Sequence, residues 1–256
     1  MRVAPLLLPY WGRRIAKTKM TIFCLPHAGG SAAAYIGLAR RFPAGIDVQP
    51  VELPGREALR GRPPFDDVAH LVEALGTELL NGFDGAFALL GHSMGAVIAF
   101  ELAAWLERHG GPLPELLIVS GSSGAAVSIE GRAGCLDPAV VTDEQLTAWL
   151  GRMGGTPTGL LLDEEMRRLV LGVLRSDLQL LWNYRPSLRQ LTVPLLALGG
   201  EDDAAVPLAE LHLWLNRTSG GAEARLLPGG HFYLYEKAEL AVPVIVQALR
   251  EVSSGQ

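Results

Sequence analysis

The sequence predicts an α/β fold, a mostly parallel sheet flanked by helices with a helical lid insertion. Three observations lead there. Short β-like runs alternate with helical patterns along most of the 256 residues, and that alternation calls for parallel strands joined by crossover helices. Nearly half the residues are apolar and 19% are charged, so a large core is available and the composition argues against disorder. One interval, about 124–190, breaks the rhythm with helical patterns and no convincing strand.

The elements follow in order. Residues 1–19 form an N-terminal extension that fits no element. Its Leu6-Leu7-Leu8 run is too short for a secretory signal, is bracketed by Pro5 and Pro9, and is followed rather than preceded by basic residues. Met20, immediately before the first strand, is a candidate second start site. Strands are predicted over 21–26, 48–53, 86–90, 116–120, 195–199 and 224–227, and helices over 31–41, 68–80, 95–109, 207–217 and 238–252. The helix at 95–109 is apolar on nearly every side until Glu107, so it should be buried. It stops at Gly110-Gly111-Pro112, where C-terminal glycine and proline belong.

Within the insertion, the first helix opens on the capping box Thr142-x-x-Gln145 and carries Leu146, Trp149, Leu150 and Met153 on one face. The second starts near Asp163, groups Met166, Leu169, Val170 and Val173, and ends before Pro186. They join through Gly154-Gly155-Thr156-Pro157. The pair reads as a lid over the carboxyl ends of the strands, or else as an ordinary helical subdomain. The chain is thus expected to be one domain, 1–256, with a core of about 20–123 and 191–256 and the insertion at about 124–190.

Composition excludes several functions. A net charge of −5 gives no electrostatic reason to bind nucleic acid or an anionic membrane. No window of about 18 uninterrupted apolar residues exists, and a cytoplasmic protein is expected. Cys24 and Cys135 are far apart with no thiol or histidine at ligand spacing, so neither a zinc site nor a disulfide is expected.

The chemistry centres on Gly91-His92-Ser93-Met94-Gly95, after the apolar run at 86–90 and before a helix. A serine raised on a tight strand-to-helix turn brings backbones close, so the positions two before and two after it must lack a Cβ. The helix N-terminus there favours developing negative charge. The segment also resembles the serine of acyl carrier proteins, but those are small helical bundles, and a preceding strand with a second glycine does not suit one.

A serine nucleophile needs a histidine, and the histidine an acid. Past the elbow and its helix only His212 and His231 remain. His212 lies inside a helical run, whereas His231 follows Leu227-Pro228-Gly229-Gly230 in a loop after the last strand, which selects His231 as base. The acid should follow the penultimate strand, where Glu201, Asp202 and Asp203 compete. Turn geometry selects Asp203, with Asp202 as runner-up and Glu201 solvated. Two backbone donors are needed for an oxyanion, and Met94 and Ala28 are the candidates. His27, which precedes the elbow, is assigned to shaping its loop.

Together, Cys24-Leu25-Pro26-His27-Ala28-Gly29-Gly30, Leu53-Pro54-Gly55-Arg56-Glu57, the Ser93 segment, Arg175-x-Asp177, Gly199-Gly200-x-x-Asp203 and Pro228-Gly229-Gly230-His231-Phe232 resemble the type II thioesterases of polyketide synthases and nonribosomal peptide synthetases. The resemblance runs from about residue 21 to residue 235. It implies an α/β-hydrolase fold with a helical lid and hydrolysis of acyl or aminoacyl thioesters on carrier-protein phosphopantetheine arms, often to clear stalled or misprimed synthases; acyl transfer through serine, histidine and acid calls for no metal or organic cofactor. It also implies Ser93, Asp203 and His231 as triad, with Ala28 and Met94 as oxyanion donors. Gly172 stands where a lid proline is common in the family. Alternatives are a medium-chain fatty acyl thioesterase, a carboxylesterase or lipase on oxygen esters, and a non-catalytic scaffold. Arg56, Arg60 and Arg62 after the second strand form the most basic segment near a strand end, either attracting an acidic carrier protein or remaining a solvated loop.

Overall fold

The computed structural model describes residues 19–124, 136–156 and 158–254. Cys135, Pro157 and residues 1–18 of the expected extension lie outside them. The six strands are β1 (Met20–Leu25), β2 (Ile46–Pro50), β3 (Phe87–His92), β4 (Leu116–Ser120), β5 (Leu195–Gly200) and β6 (Ala222–Leu227). They form one sheet of order β2-β1-β3-β4-β5-β6, and every neighbouring pair is parallel.

Parallel strands covered on both faces must be apolar at successive positions, and the packing shows why these are. Phe23, Leu25, Leu89, Leu117 and Val119 face helices α2 (Val68–Gly82) and α3 (Met94–Arg108). Ile22, Cys24, Leu90, Ile118 and Leu198 face the other way, against α9 (Ala238–Ser254). The sheet changes direction at β1, which has β2 on one side and β3 on the other. Crevices at such a switch point, at the carboxyl ends of strands, are where α/β sheets bind ligands.

Local departures from the sequence expectation have physical causes. The second strand sits two residues earlier than predicted, because its pairing with β1 ends at Cys24 opposite Pro50. The Val51 amide still reaches the Cys24 carbonyl (2.8 Å), after which Val51, Glu52 and Leu53 are buried without a ladder. Residues 31–41 are a 3₁₀ turn (Ala32–Tyr35) followed by the short helix α1 (Ile36–Ala39), with Tyr35 pinned by its hydroxyl donating to the Leu25 carbonyl (2.6 Å). Residues 207–217 likewise divide into α7 (Leu208–His212) and a 3₁₀ turn (Leu213–Arg217). A short helix α8 (Tyr233–Glu236) follows β6.

Three helices lie between β4 and β5 among the described residues: α4 (Asp143–Met153), the unexpected α5 (Thr158–Leu162), and α6 (Glu164–Asn183). Both halves of the Thr142–Gln145 capping box form, and the Asp163 side chain caps α6. The buried face of α6 follows the expected grouping only in part. Leu171, Leu174 and Leu178 pack against Leu146, Leu150 and Val141, and Val170 of the expected group joins them half-buried, whereas Met166 and Leu169 are each 40% exposed. Both stripes have helical spacing, so periodicity alone could not choose between them.

Candidate active site

Ser93 is the N-cap of α3, at φ 54° and ψ −116°, a conformation that non-glycine residues adopt only when the surroundings impose it. The surroundings are main chain. A Cβ at Gly91 would lie 2.0 Å from the Gly95 carbonyl oxygen, and one at Gly95 would lie 2.0 Å from that of Leu25. The Ser93 amide donates to the Ser120 carbonyl at 2.7 Å, tying the turn to β4. Because Leu25 pairs with Gly91, the loop leaving β1 emerges beside the serine.

Asp203 lies in the turn after β5. Its Oδ1 accepts from the Ala205 amide (3.0 Å) and its Oδ2 from His231 Nδ1 (2.7 Å). The carboxylate is almost fully buried, while Glu201 and Asp202 are exposed. His231 sits in the loop between β6 and α8, and with Nδ1–H given to Asp203 its Nε2 is left for another partner. Ser93, His231 and Ala28 all line one small cavity of about 30 Å³, with Trp149, Leu150 and Phe232 among its walls. The Met94 amide, at the first position of α3, has no acceptor within its own helix. His212 is exposed at the end of α7, away from this cavity.

Two further histidines surround the site and are held neutral. Burial first, then the nearby His231 and Arg56, bring His27 down to about 4. Its Nδ1 is 3.1 Å from the Tyr235 hydroxyl, so it braces the loop after β1. His92 is fully buried, and burial, then His231 and His27, hold it well below the ordinary histidine range. Its Nδ1 contacts Ser120 Oγ (3.0 Å), which in turn contacts the Tyr233 hydroxyl (2.5 Å). Neither histidine is positively charged at neutral pH.

Arg56 corrects the expectation of a basic surface loop. It is buried, and its guanidinium forms a bidentate pair with Asp177 of α6 (2.5 and 2.9 Å). Its side chain also donates to the Gly30 carbonyl (2.6 Å), and Asp177 Oδ2 accepts from the Gly29 amide (2.7 Å). Both residues stand in motifs of the sequence, but nothing local in it shows that they meet. The available signal was Asp177 itself, a charge within the apolar stripe Leu171, Leu174 and Leu178. Arg60 stays exposed and Arg62 half-exposed, and both border an open groove of about 870 Å³ whose opposite wall is α6. A depression of about 750 Å³ at the other end of the strands, around Leu116 and Ala222, has no serine, cysteine or histidine in its lining.

A serine on a strand-to-helix elbow at the switch point of a parallel sheet, backed by a later Asp and His, is the α/β-hydrolase arrangement. The family described as Thioesterase domain matches residues 20–249. The chain is 35% identical over 229 residues to the "Probable cadicidin biosynthesis thioesterase" of Streptomyces griseus, covering 89% of this chain but 62% of that protein. It is 33% identical over 235 residues to the gramicidin S biosynthesis protein GrsT of Aneurinibacillus migulanus, covering 91% and 90% of the two chains. The structure of the type II thioesterase BorB from the borrelidin biosynthetic cluster superposes with a TM-score of 0.79 at 34% identity, covering 93% of this chain and 95% of that one. The chain belongs to the thioesterase family and is a serine hydrolase of the type II thioesterase kind. Among the described residues, no helix is long and apolar enough to cross a membrane.

Proposed function

We propose that Ser93, His231 and Asp203 are the catalytic triad and that the Ala28 and Met94 amides form the oxyanion hole. The substrate in this reading is an acyl or aminoacyl group on the phosphopantetheine arm of an acyl- or peptidyl-carrier protein. The observation that carries it is the 2.7 Å Asp203–His231 contact beside the cavity that holds Ser93 at its elbow. The pathway names of GrsT and BorB support the substrate class, as does the resemblance of the loop motifs.

The reaction proceeds in two acyl transfers. Ser93 Oγ attacks the thioester carbonyl as His231 Nε2 takes its proton, and the oxyanion rests on the two amides. Asp203 fixes the tautomer and steadies the imidazolium. The C–S bond then breaks. A thiol with a pKa of about 8.5 is a good leaving group and takes the proton from His231 with little assistance, leaving an acyl-serine. Water attacks next, His231 accepts its proton and returns it to Ser93, and the free acid departs. The helical interval at about 124–190 acts as a lid on a single domain whose core is about 20–123 and 191–256. The role is editing of stalled or misprimed synthases, in the cytoplasm.

The test offers the purified enzyme a panel of acyl groups on holo-carrier protein and on coenzyme A, with matched oxygen esters. The expected result is higher kcat/KM on thioesters, with preference for the carrier-bound form. Faster turnover of the oxygen esters would overturn the reading.

A further inference from the structure

The loop that carries the Ala28 amide is tied down on three sides, and one tie comes from the insertion. From the core side, Tyr235 meets His27. From α6, Asp177 accepts from Gly29, the residue directly after Ala28, and Leu174 packs over the same glycine. From the loop after β2, Arg56 donates to the Gly30 carbonyl and locks onto Asp177. Both partners of the ion pair are almost fully removed from solvent, at 5% and 4% side-chain exposure. A buried pair of this kind is weak evidence for a stabilising role, since apolar replacements of similar size are often neutral or better. It does hold position, because a bidentate fork permits few geometries.

We infer that Arg56 and Asp177 are positioning residues that set the Ala28 amide in the oxyanion hole, so that the hole is complete only while α6 is seated on the loop. The pair touches no reacting atom. It acts through the backbone of Gly29 and Gly30, which lie next to the donor in the chain. The inference rests on the oxyanion role proposed above for Ala28. An inserted helix that supplies a ligand to the catalytic loop links entry past α6 to the ability to stabilise a tetrahedral intermediate.

The decisive variant is Arg56→Met with Asp177→Leu, which removes both charges together and fills the space, yet can neither accept from Gly29 nor donate to Gly30. Asp177→Asn is measured beside it, so that a folding defect in either variant does not decide the result. Active sites are counted with a fluorophosphonate, turnover per competent site is measured on a small acyl thioester, and affinity is measured for a trifluoromethyl ketone analogue, whose adduct places an oxyanion in the hole. The expected result for the double variant is a kcat per site lower by about 10- to 100-fold, below the loss for deleting a donor outright. KM should stay within about twofold, and ketone affinity should fall by the same factor as kcat. A merely structural role would lower the number of competent sites and leave the surviving sites with normal kcat and ketone affinity, which overturns the inference. Ser93→Ala run in parallel separates the two claims. If it is inactive while the pair variants keep wild-type values per site, the positioning role fails and the triad stands; if it remains active, both fail.

Discussion

Around Ser93 the chain is fixed by main chain against main chain, whereas the helices between β4 and β5 are fixed by side chains. At the elbow, three stretches of backbone meet so closely that the missing Cβ atoms of Gly91 and Gly95 are the space they occupy. In the insertion, α4 and α6 meet through Leu146, Leu150, Leu171 and Leu174, with Arg175 reaching the Pro138 and Val141 carbonyls. Contacts of the first kind admit one arrangement. Those of the second kind permit sliding, which suits the lid role proposed for these helices. The residues proposed as nucleophile, base and acid all come from core loops, and the insertion reaches the loop after β1 through Asp177 and Leu174.

The largest effect is expected at Ser93, the proposed nucleophile. Ser93→Ala should reduce kcat by about 10⁴-fold or more while leaving the melting temperature within a few degrees of wild type, because the small side chain keeps the elbow. A steady-state assay with a thermal melt checks both, and substantial residual turnover would refute the assignment. Next in size is the acid. Asp203→Asn should cost about 10⁴-fold in kcat, because an amide at this contact no longer fixes the tautomer of His231. Asp202→Asn, one residue away and exposed, should stay within a few-fold, and equal losses would mean that the turn after β5 presents a different carboxylate.

Stability should divide along the same line. Gly95→Ala drives a methyl group into the Leu25 carbonyl, and overpacking that backbone should cost about 3 kcal/mol or more. Leu174→Ala, buried between α6 and its neighbours, should cost about 2–5 kcal/mol. Leu169→Ala, on the exposed stripe, should cost about 0.5 kcal/mol or less. Denaturant unfolding of the three variants reads these values. A Leu169 variant as damaged as the Leu174 variant would restore the face that the periodicity suggested.

That pattern also explains what the sequence made legible. The elbow was readable because glycine is required at two fixed positions, and the order of strands then led to Asp203 and His231. The α6 face was legible only in part, since Val170 of the group Met166, Leu169, Val170 and Val173 does pack inward while Met166 and Leu169 do not, and Leu171, Leu174 and Leu178 have equally good helical spacing. Choosing between them depends on what the helix packs against, which is tertiary information. The Arg56–Asp177 contact was hidden for the same reason, as 121 positions separate its members and nothing local marks Arg56 as buried.

The smallest expected effect lies on the rim of the groove, where a core loop faces the insertion. The chain is net acidic at −5, so an acidic carrier protein meets whole-molecule repulsion and any attraction must be local. With Arg56 withdrawn into its pair with Asp177, Arg60 and Arg62 are the cations of that loop left to face solvent. Across the groove stand the exposed apolar side chains of Met166 and Leu169. A carrier docked there would meet Arg60 and Arg62 on one wall and, on the other, Met166 and Leu169 beside Arg168, whose charge is paired with Glu164. Reversing Arg60 and Arg62 to Glu should therefore raise KM for acyl-carrier substrates several-fold and weaken its salt dependence, since exposed charges act within about a Debye length of 10 Å at 0.1 M salt. Hydrolysis of a small acyl thioester, which never meets the rim, should be unchanged. Equal losses on both substrates would show that the loop shapes the site itself, and no loss on either would leave the two arginines as ordinary surface.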